Sequence, residues 1–283
     1  MKRNNKKSSN LFDLAKTTVK TALWIVIVFA LIFLLGRFIY NDLYPAPKIE
    51  IQAQGLTDVK LPSGMKNVVC HYSGFTSYFN PETHIPNCVA YEIIESETTG
   101  DEPRKKSFEA DHTIDGCAES SDYRNSGYDR GHMAPAADMK WSEQAMDDCH
   151  LLTNICPQDR KVNGGPWATV EKNARKWTAT HGTLYIVAGP ILTDHITRYI
   201  GETHVPVPER FFKVIIAPDA NPPMGIAFLM PNHPFQGGAQ AAVTSIDNIE
   251  AITGYDFFSA LPDDIEADVE AQHSMARWQH PKR

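Results

Sequence analysis

The sequence is poor in the features that would make several functions easy to read. It holds five cysteines (Cys70, Cys88, Cys117, Cys149 and Cys156) and no C-x-x-C pair, so a zinc module built on paired thiolates is excluded. It has no G-x-S-x-G and no H-E-x-x-H, which removes the usual signatures of serine hydrolases and zinc proteases. With 17 glycines and 19 prolines in 283 residues it is neither collagen-like nor of low complexity. It has no internal repeat. It also lacks positive charge: 27 basic against 34 acidic side chains give a net charge of −7. Residues 1–40 take seven of those basic groups and one acid, so the other 243 residues carry a net −13. Such a field does not hold a protein on nucleic acid, although it leaves room for a local basic cleft or a metal-neutralised one.

Long apolar runs are also scarce; there is one. Residues 22–36 read ALWIVIVFALIFLLG without a charge, and Phe38-Ile39-Tyr40 extend them past Arg37. With Arg37 snorkelling, residues 22–40 are long enough to span roughly 30 Å of hydrocarbon. Six basic residues precede the run, which places residues 1–21 in the cytoplasm and exports the rest, to the periplasm or the cell exterior. The expectation is a single-pass, uncleaved signal anchor at 22–40, since no small-x-small cleavage site follows it. A cleaved signal or a mitochondrial targeting segment is the alternative. Residues 41–56, with Tyr44-Pro45-Ala46-Pro47, read as a linker to a domain at 57–283. Export permits disulfides, but the odd cysteine count leaves at least one thiol free or paired between chains, and the connectivity is not readable.

Within that domain, 68–72, 89–94, 184–188, 211–217 and 225–230 have the β-branched and aromatic content of strands. Asn80-Pro81-Glu82 and Asn221-Pro222-Pro223 are turns, the second joining an antiparallel hairpin. Residues 245–253 and 264–278 read as helices. A further helix is expected to start at Pro166 after Gly164-Gly165. Its Trp167, Val170, Ala174 and Trp177 form one apolar stripe, with Glu171 and Arg175 one above the other along its edge.

The densest polar segment is Ser126 to Asp138. Asp129-Arg130-Gly131-His132 puts an acid, a fixed cation and a base within four residues, and Gly131 allows a close backbone approach. No second cluster with zinc spacing accompanies His132. Asn163 is a neutral, hard oxygen donor of the kind that suits Mg²⁺, an ion that keeps most of its waters. A neutral base, an amide ligand, an acid and two arginines describe a phosphodiester-cleaving site.

These residues resemble those of the DNA/RNA non-specific endonucleases of the ββα-metal superfamily. The DRGH motif stands at 129–132, Asn-x-x-Pro-Gln at Asn154-Ile155-Cys156-Pro157-Gln158, and Asn-x3-Trp-x3-Glu-x3-Arg at Asn163, Trp167, Glu171 and Arg175. The likeness covers roughly residues 57–273, with Cys88 standing where the family usually has Trp. It implies an α+β fold: a mixed, mainly antiparallel sheet with helices around a ββα-metal core near 120–178. It implies that His132 is the general base, that Asn163 is the direct metal ligand, and that Glu171 holds metal waters and orients the ion. Arg130 and Arg175 would bind phosphate, and Asn154 would brace the site. The implied cofactor is Mg²⁺, with Mn²⁺ as the alternative, and the implied partners are DNA and RNA, with the membrane at 22–40 and a homodimer as a further expectation. The expected function is a membrane-anchored, exported endonuclease of little sequence specificity. The alternatives are a phosphodiesterase for another substrate, such as a cyclic dinucleotide, or an inactive nuclease-like receptor for nucleic acid.

Overall fold

The structure, a computed structural model, describes residue 20 and residues 23–39 and 53–279. It divides into two units, residues 1–50 and 51–283. In the first, residues 23–39 are helical and exposed throughout. Ala22, Tyr40, nearly all of the basic segment 1–21 and most of the linker 41–56 lie outside the described residues. Among the described residues no helix is long and apolar enough to cross a membrane.

The second unit is built on a seven-stranded sheet. Its strands are β1 (Val68–His71), β2 (Thr76–Asn80), β3 (Ile85–Ile93), β6 (Leu184–Ile191), β7 (Arg210–Ala217), β8 (Met224–Pro231) and β9 (Val243–Thr244), neighbours in that order. Every neighbouring pair is antiparallel. Two strands stand apart as a ribbon: β4 (Asp129–His132) pairs antiparallel with β5 (Ile155–Gln158). The helices are α1 (Glu143–Asp148), α2 (Ala168–His181), α3 (Ile246–Thr253), α4 (Asp263–Glu270) and α5 (Met275–Gln279).

The central strands are near-continuous apolar runs because both faces of the sheet are covered. In β7, Phe211, Ile215 and Ala217 pack in one buried cluster, with Trp167, Val170, Ala174 and Trp177 of the α2 region. Phe212, Val214 and Ile216 pack in the other, with Ile246 and Ile249 of α3 and Ile265 and Val269 of α4. The period-2 alternation of a strand thus feeds two cores. The expected apolar stripe of α2 is buried along its length, and each large side chain taken out of water contributes about 1.5–3 kcal/mol.

Local differences from the expected elements have local causes. Thr76–Asn80 forms β2, so the turn at 80–82 joins β2 to β3 rather than the strands at 68 and 89. The helix expected at 264–278 is two, α4 and α5, separated at 271–274. A short helical turn, Arg160–Val162, precedes the expected helix and is capped by Asp159, whose carboxylate accepts from Lys161 N and Val162 N. It runs through a wide turn at Asn163–Trp167, broken at Gly165 (φ −112°, ψ −110°), into α2. All five cysteines are free, and Cys88 is a fully buried packing residue.

Candidate active site

The β4–β5 ribbon and the helical run from Arg160 to His181 form a strand–strand–helix unit, and five of the six singled-out residues with site roles lie on it. Asn154 is the sixth, one residue ahead of β5. Gly131 faces Cys156 across the ribbon. A Cβ at Gly131 would lie 2.3 Å from Gln158 Oε1, so the ribbon closes only over glycine.

His132 ends β4 and is buried. The backbone of His132, Met133 and Ala134 is held at several points. Trp167 Nε1–H donates to the His132 carbonyl at 3.2 Å. The Asn154 side chain accepts from Ala134 N at 2.9 Å and donates to Ala134 O at 2.9 Å and Cys149 O at 2.8 Å. Met133 N donates to Asn154 O. The imidazole lies against Phe108 and against His150, with ring centroids 5.2 and 5.1 Å away. Burial, then the neighbouring His150 and the positive charges of Arg104 and Lys213, hold its pKa well below the ordinary histidine value. It is therefore neutral at pH 7, the state in which it has a lone pair to accept a proton.

Asn163 closes the short helical turn Arg160–Val162 with αR backbone (φ −55°, ψ −55°), so it is not an N-cap; Asp159 is. Its side chain is oriented by Asp129. The Asn163 Nδ2–H donates to Asp129 Oδ2 at 3.1 Å, and Arg160 Nε–H donates to the other carboxylate oxygen at 3.1 Å. The amide nitrogen is thereby turned to the acid, and the carbonyl oxygen remains for another partner.

Glu171 and Arg175 do not pair with each other. Arg175 forms a close ion pair with the buried carboxylate of Asp138. Glu171 faces Lys213 Nζ, 3.9 Å away. No hydrogen bond joins Glu171 to Asn163. Burial pushes the Glu171 carboxyl up to about 7, against the opposing pull of Lys213. Lys213 is completely buried on β7, donates to Tyr91 Oη and Met133 O, and stands 4.5 Å over the Trp167 ring. Burial lowers its pKa, and the carboxylates of Glu171 and Asp138 oppose that shift. Lys213 is the site residue that sequence reading missed. A lone lysine flanked by Phe211-Phe212 and Val214-Ile215 in a buried strand was the available signal.

Arg130 lines a cavity of about 830 Å³ beside Asn163 and Asp129, together with Arg104, Arg124 and Arg160 and the aromatic rings of Phe108, Tyr123 and Tyr128. Four guanidinium groups on one cleft supply the local positive field that the overall charge of the chain does not. The Arg130 guanidinium is steadied by donation to Ser120 O at 2.7 Å and by the faces of Phe108 and Tyr123. Arg175 is not among the residues lining this cleft.

Comparison with known proteins gives the family. The family model for DNA/RNA non-specific endonucleases matches residues 52–264. Endonuclease G, mitochondrial, from Bos taurus is 31% identical over 221 residues, covering 72% of this chain and 71% of that protein. The Mitochondrial nuclease of Saccharomyces cerevisiae is 36% identical over 212 residues, covering 66% of this chain and 64% of that protein. Nuclease EXOG, mitochondrial, from Danio rerio is 35% identical over 198 residues, covering 64% of this chain and 58% of that protein. The chain thus spans somewhat less than two thirds of the yeast and fish relatives. A solved structure of EndoG in complex with EndoGI superposes with a TM-score of 0.63 at 26% identity, covering 69% of this chain and 86% of that one.

Proposed function

The chain belongs to the DNA/RNA non-specific endonuclease family, and on that premise we propose that it is a Mg²⁺-dependent phosphodiester hydrolase held at a membrane by residues 22–40, with residues 57–283 exported. The observation that carries the catalytic reading is the Asp129–Asn163 hydrogen bond, which leaves an amide oxygen free at the rim of an arginine-lined cleft.

The donor set fits a hard divalent cation. Asn163 offers a neutral oxygen, and Glu171 offers a buried carboxyl, raised to about 7 by burial, whose ionised form a nearby cation would favour. Asn163 would hold the ion directly and Glu171 would hold its waters. When bound, Mg²⁺ supplies charge stabilisation to the non-bridging and leaving oxygens of the phosphate.

The protein's own groups do the rest. His132, neutral and clamped by Trp167 and Asn154, takes the proton of the attacking water. Arg130 binds the phosphate from the cleft wall. Lys213 neutralises Glu171 from behind and bonds the Met133 carbonyl next to the base, so it positions both. These contacts are directed at phosphate, and the cleft presents no organised set of groups for base edges, so little sequence preference is expected.

Two measurements test the reading. Supercoiled plasmid, single-stranded RNA and a labelled cyclic dinucleotide are each incubated with the full chain, with Mg²⁺ and with chelator. Cleavage of plasmid and RNA that the chelator abolishes supports the endonuclease, whereas cleavage of the cyclic diester alone shows a different phosphodiesterase. Metal-independent binding without any cleavage shows a receptor. Mass spectrometry of the protein from purified membranes tests the anchor, and an N-terminus near residue 41 would replace it with a cleaved leader.

A further inference from the structure

We propose that His132, Cys149 and His150 form a second cation site, selective for a soft metal such as Zn²⁺, whose occupation switches the nuclease off. The inference rests on the reading of His132 as the general base. The three residues are buried, and each offers one ligand atom within 4.8 Å of the others. Two imidazoles and a thiol are the donors that zinc takes and that Mg²⁺ refuses. Zinc bonds to nitrogen and sulfur are about 2.0–2.3 Å long, so the three side chains must draw inward to share one ion, and the Cys149 thiol, now 3.3 Å from His150 Nδ1, must turn towards Nε2.

His150 is already arranged as a ligand. Its Nδ1–H donates to the Met146 carbonyl at 2.8 Å, which leaves the lone pair on Nε2. That nitrogen is buried and has no partner, and the same is true of His132 Nε2. A histidine that donates one ring N–H to a backbone carbonyl while its other nitrogen stands bare in the interior is the arrangement that metal-binding histidines show. The nuclease mechanism gives neither the His150 imidazole nor the Cys149 thiol a proton-transfer or phosphate-binding role.

The cluster also has an approach. His150 lines a cavity of about 260 Å³ whose wall holds Glu109, Asp147 and Asp148 against one cation, Lys105, which pairs with Asp147, so the wall is net negative. No residue lines both this cavity and the arginine-lined cleft, and Phe108 of the cleft packs on both imidazoles. Burial pushes the Cys149 thiol up to about 12, so it enters the site protonated. Zinc binding forms the Zn–S bond and releases the Sγ proton to solvent.

The effect on activity follows from the imidazole. A neutral ring has one lone pair. Zinc on Nδ1 occupies the base directly; zinc on Nε2 fixes the proton on Nδ1, which can then only donate. Either way His132 can no longer accept a proton, while Asn163 and its cation are untouched.

The test uses the full chain and Zn²⁺ alone. A chromophoric chelator competing for Zn²⁺ reads affinity without reference to catalysis, and plasmid cleavage at saturating Mg²⁺ reads inhibition. One Zn²⁺ should bind per chain. His150→Phe and Cys149→Ser should each weaken that binding at least tenfold and raise the inhibitory Zn²⁺ concentration by the same factor. Each variant is compared with its own zinc-free rate and melting temperature, so a folding defect is visible separately. Equal Zn²⁺ affinity and equal inhibition in the wild type and both variants would overturn the proposal. His150-dependent binding in a wild-type chain that cleaves no substrate would instead keep the site and remove the nuclease reading.

Discussion

Asp129 accepts a hydrogen bond from Asn163 Nδ2 at 3.1 Å across 34 residues of sequence. One carboxylate thereby decides which way an amide faces. Asp129 sits at the start of the strand that ends in His132, so the DRGH strand carries the proposed base at one end and the group that orients the proposed metal ligand at the other.

That relationship makes the Asn163 and Asp129 variants informative together. Asn163→Ala should abolish most cleavage, because it removes the proposed direct ligand, and Asn163→Asp should be milder because it restores an oxygen. Asp129→Ala leaves Asn163 in place but unoriented, and should raise the Mg²⁺ half-saturation about 10–100-fold. The Asp129–Arg160 pair has a largely exposed arginine and is worth no more than about 1 kcal/mol, so melting should change little. Mg²⁺ titrations of plasmid cleavage alongside thermal melts check this. A normal half-saturation in Asp129→Ala would show that the acid does not set the amide.

Arg175 behaves differently from Arg130. Its partner Asp138 is buried, with one carboxylate oxygen already unpartnered. Arg175→Ala would leave that charge uncompensated and should cost about 3–5 kcal/mol of stability. Arg130→Ala should melt near the wild-type temperature and lose activity through KM and kcat. Urea unfolding of the two variants beside their steady-state kinetics separates a structural arginine from one that meets substrate.

A pH test lies outside the site. Glu270 is buried with an unpartnered oxygen, and burial with the nearby acids Glu250, Glu266, Asp247 and Asp256 pushes its carboxyl up to about 8. An acid whose folded pKa exceeds its unfolded value of about 4.3 gives stability that is full at low pH and is lost as pH rises through about 8. Glu270→Gln, which keeps the neutral form, should therefore melt several degrees above wild type at pH 8.5, at about 2–4 °C per kcal/mol. The difference should shrink towards zero as pH falls to 5. The melts are run in chelator, and a gap independent of pH would reject the raised pKa.

Much of the active site could be read in sequence because it is encoded locally. The DRGH run is four adjacent residues, and Asn163, Trp167, Glu171 and Arg175 repeat at helical spacing. Their partners were not legible. Glu171 meets Lys213 from 42 residues away, and Arg175 meets Asp138 from 37. Helical spacing places Glu171 and Arg175 side by side, but the sheet and the loop after β4 offer each a buried partner of opposite charge. The break at Gly164-Gly165-Pro166 was legible and stands at Gly165, whereas the short helical turn before it, capped by Asp159, was not. Strand β2 was missed because Ser77 is polar yet buried, its hydroxyl donating to the Thr153 carbonyl at 2.6 Å. The arginines of the cleft are scattered from 104 to 160, and only the fold gathers them on one wall.

The central claim is that His132 is the base of a metal-dependent phosphodiester hydrolase. The most direct measurement is single-turnover cleavage of supercoiled plasmid by the wild-type chain and His132→Ala at saturating Mg²⁺, with the melting temperature and the Mg²⁺ half-saturation of each determined in parallel. A positioned base contributes about 10²–10⁴ in rate. The account predicts a loss of at least a hundredfold in His132→Ala, with its Mg²⁺ half-saturation held because Asn163 is unaltered. A variant that folds normally and cleaves within tenfold of wild type would contradict it.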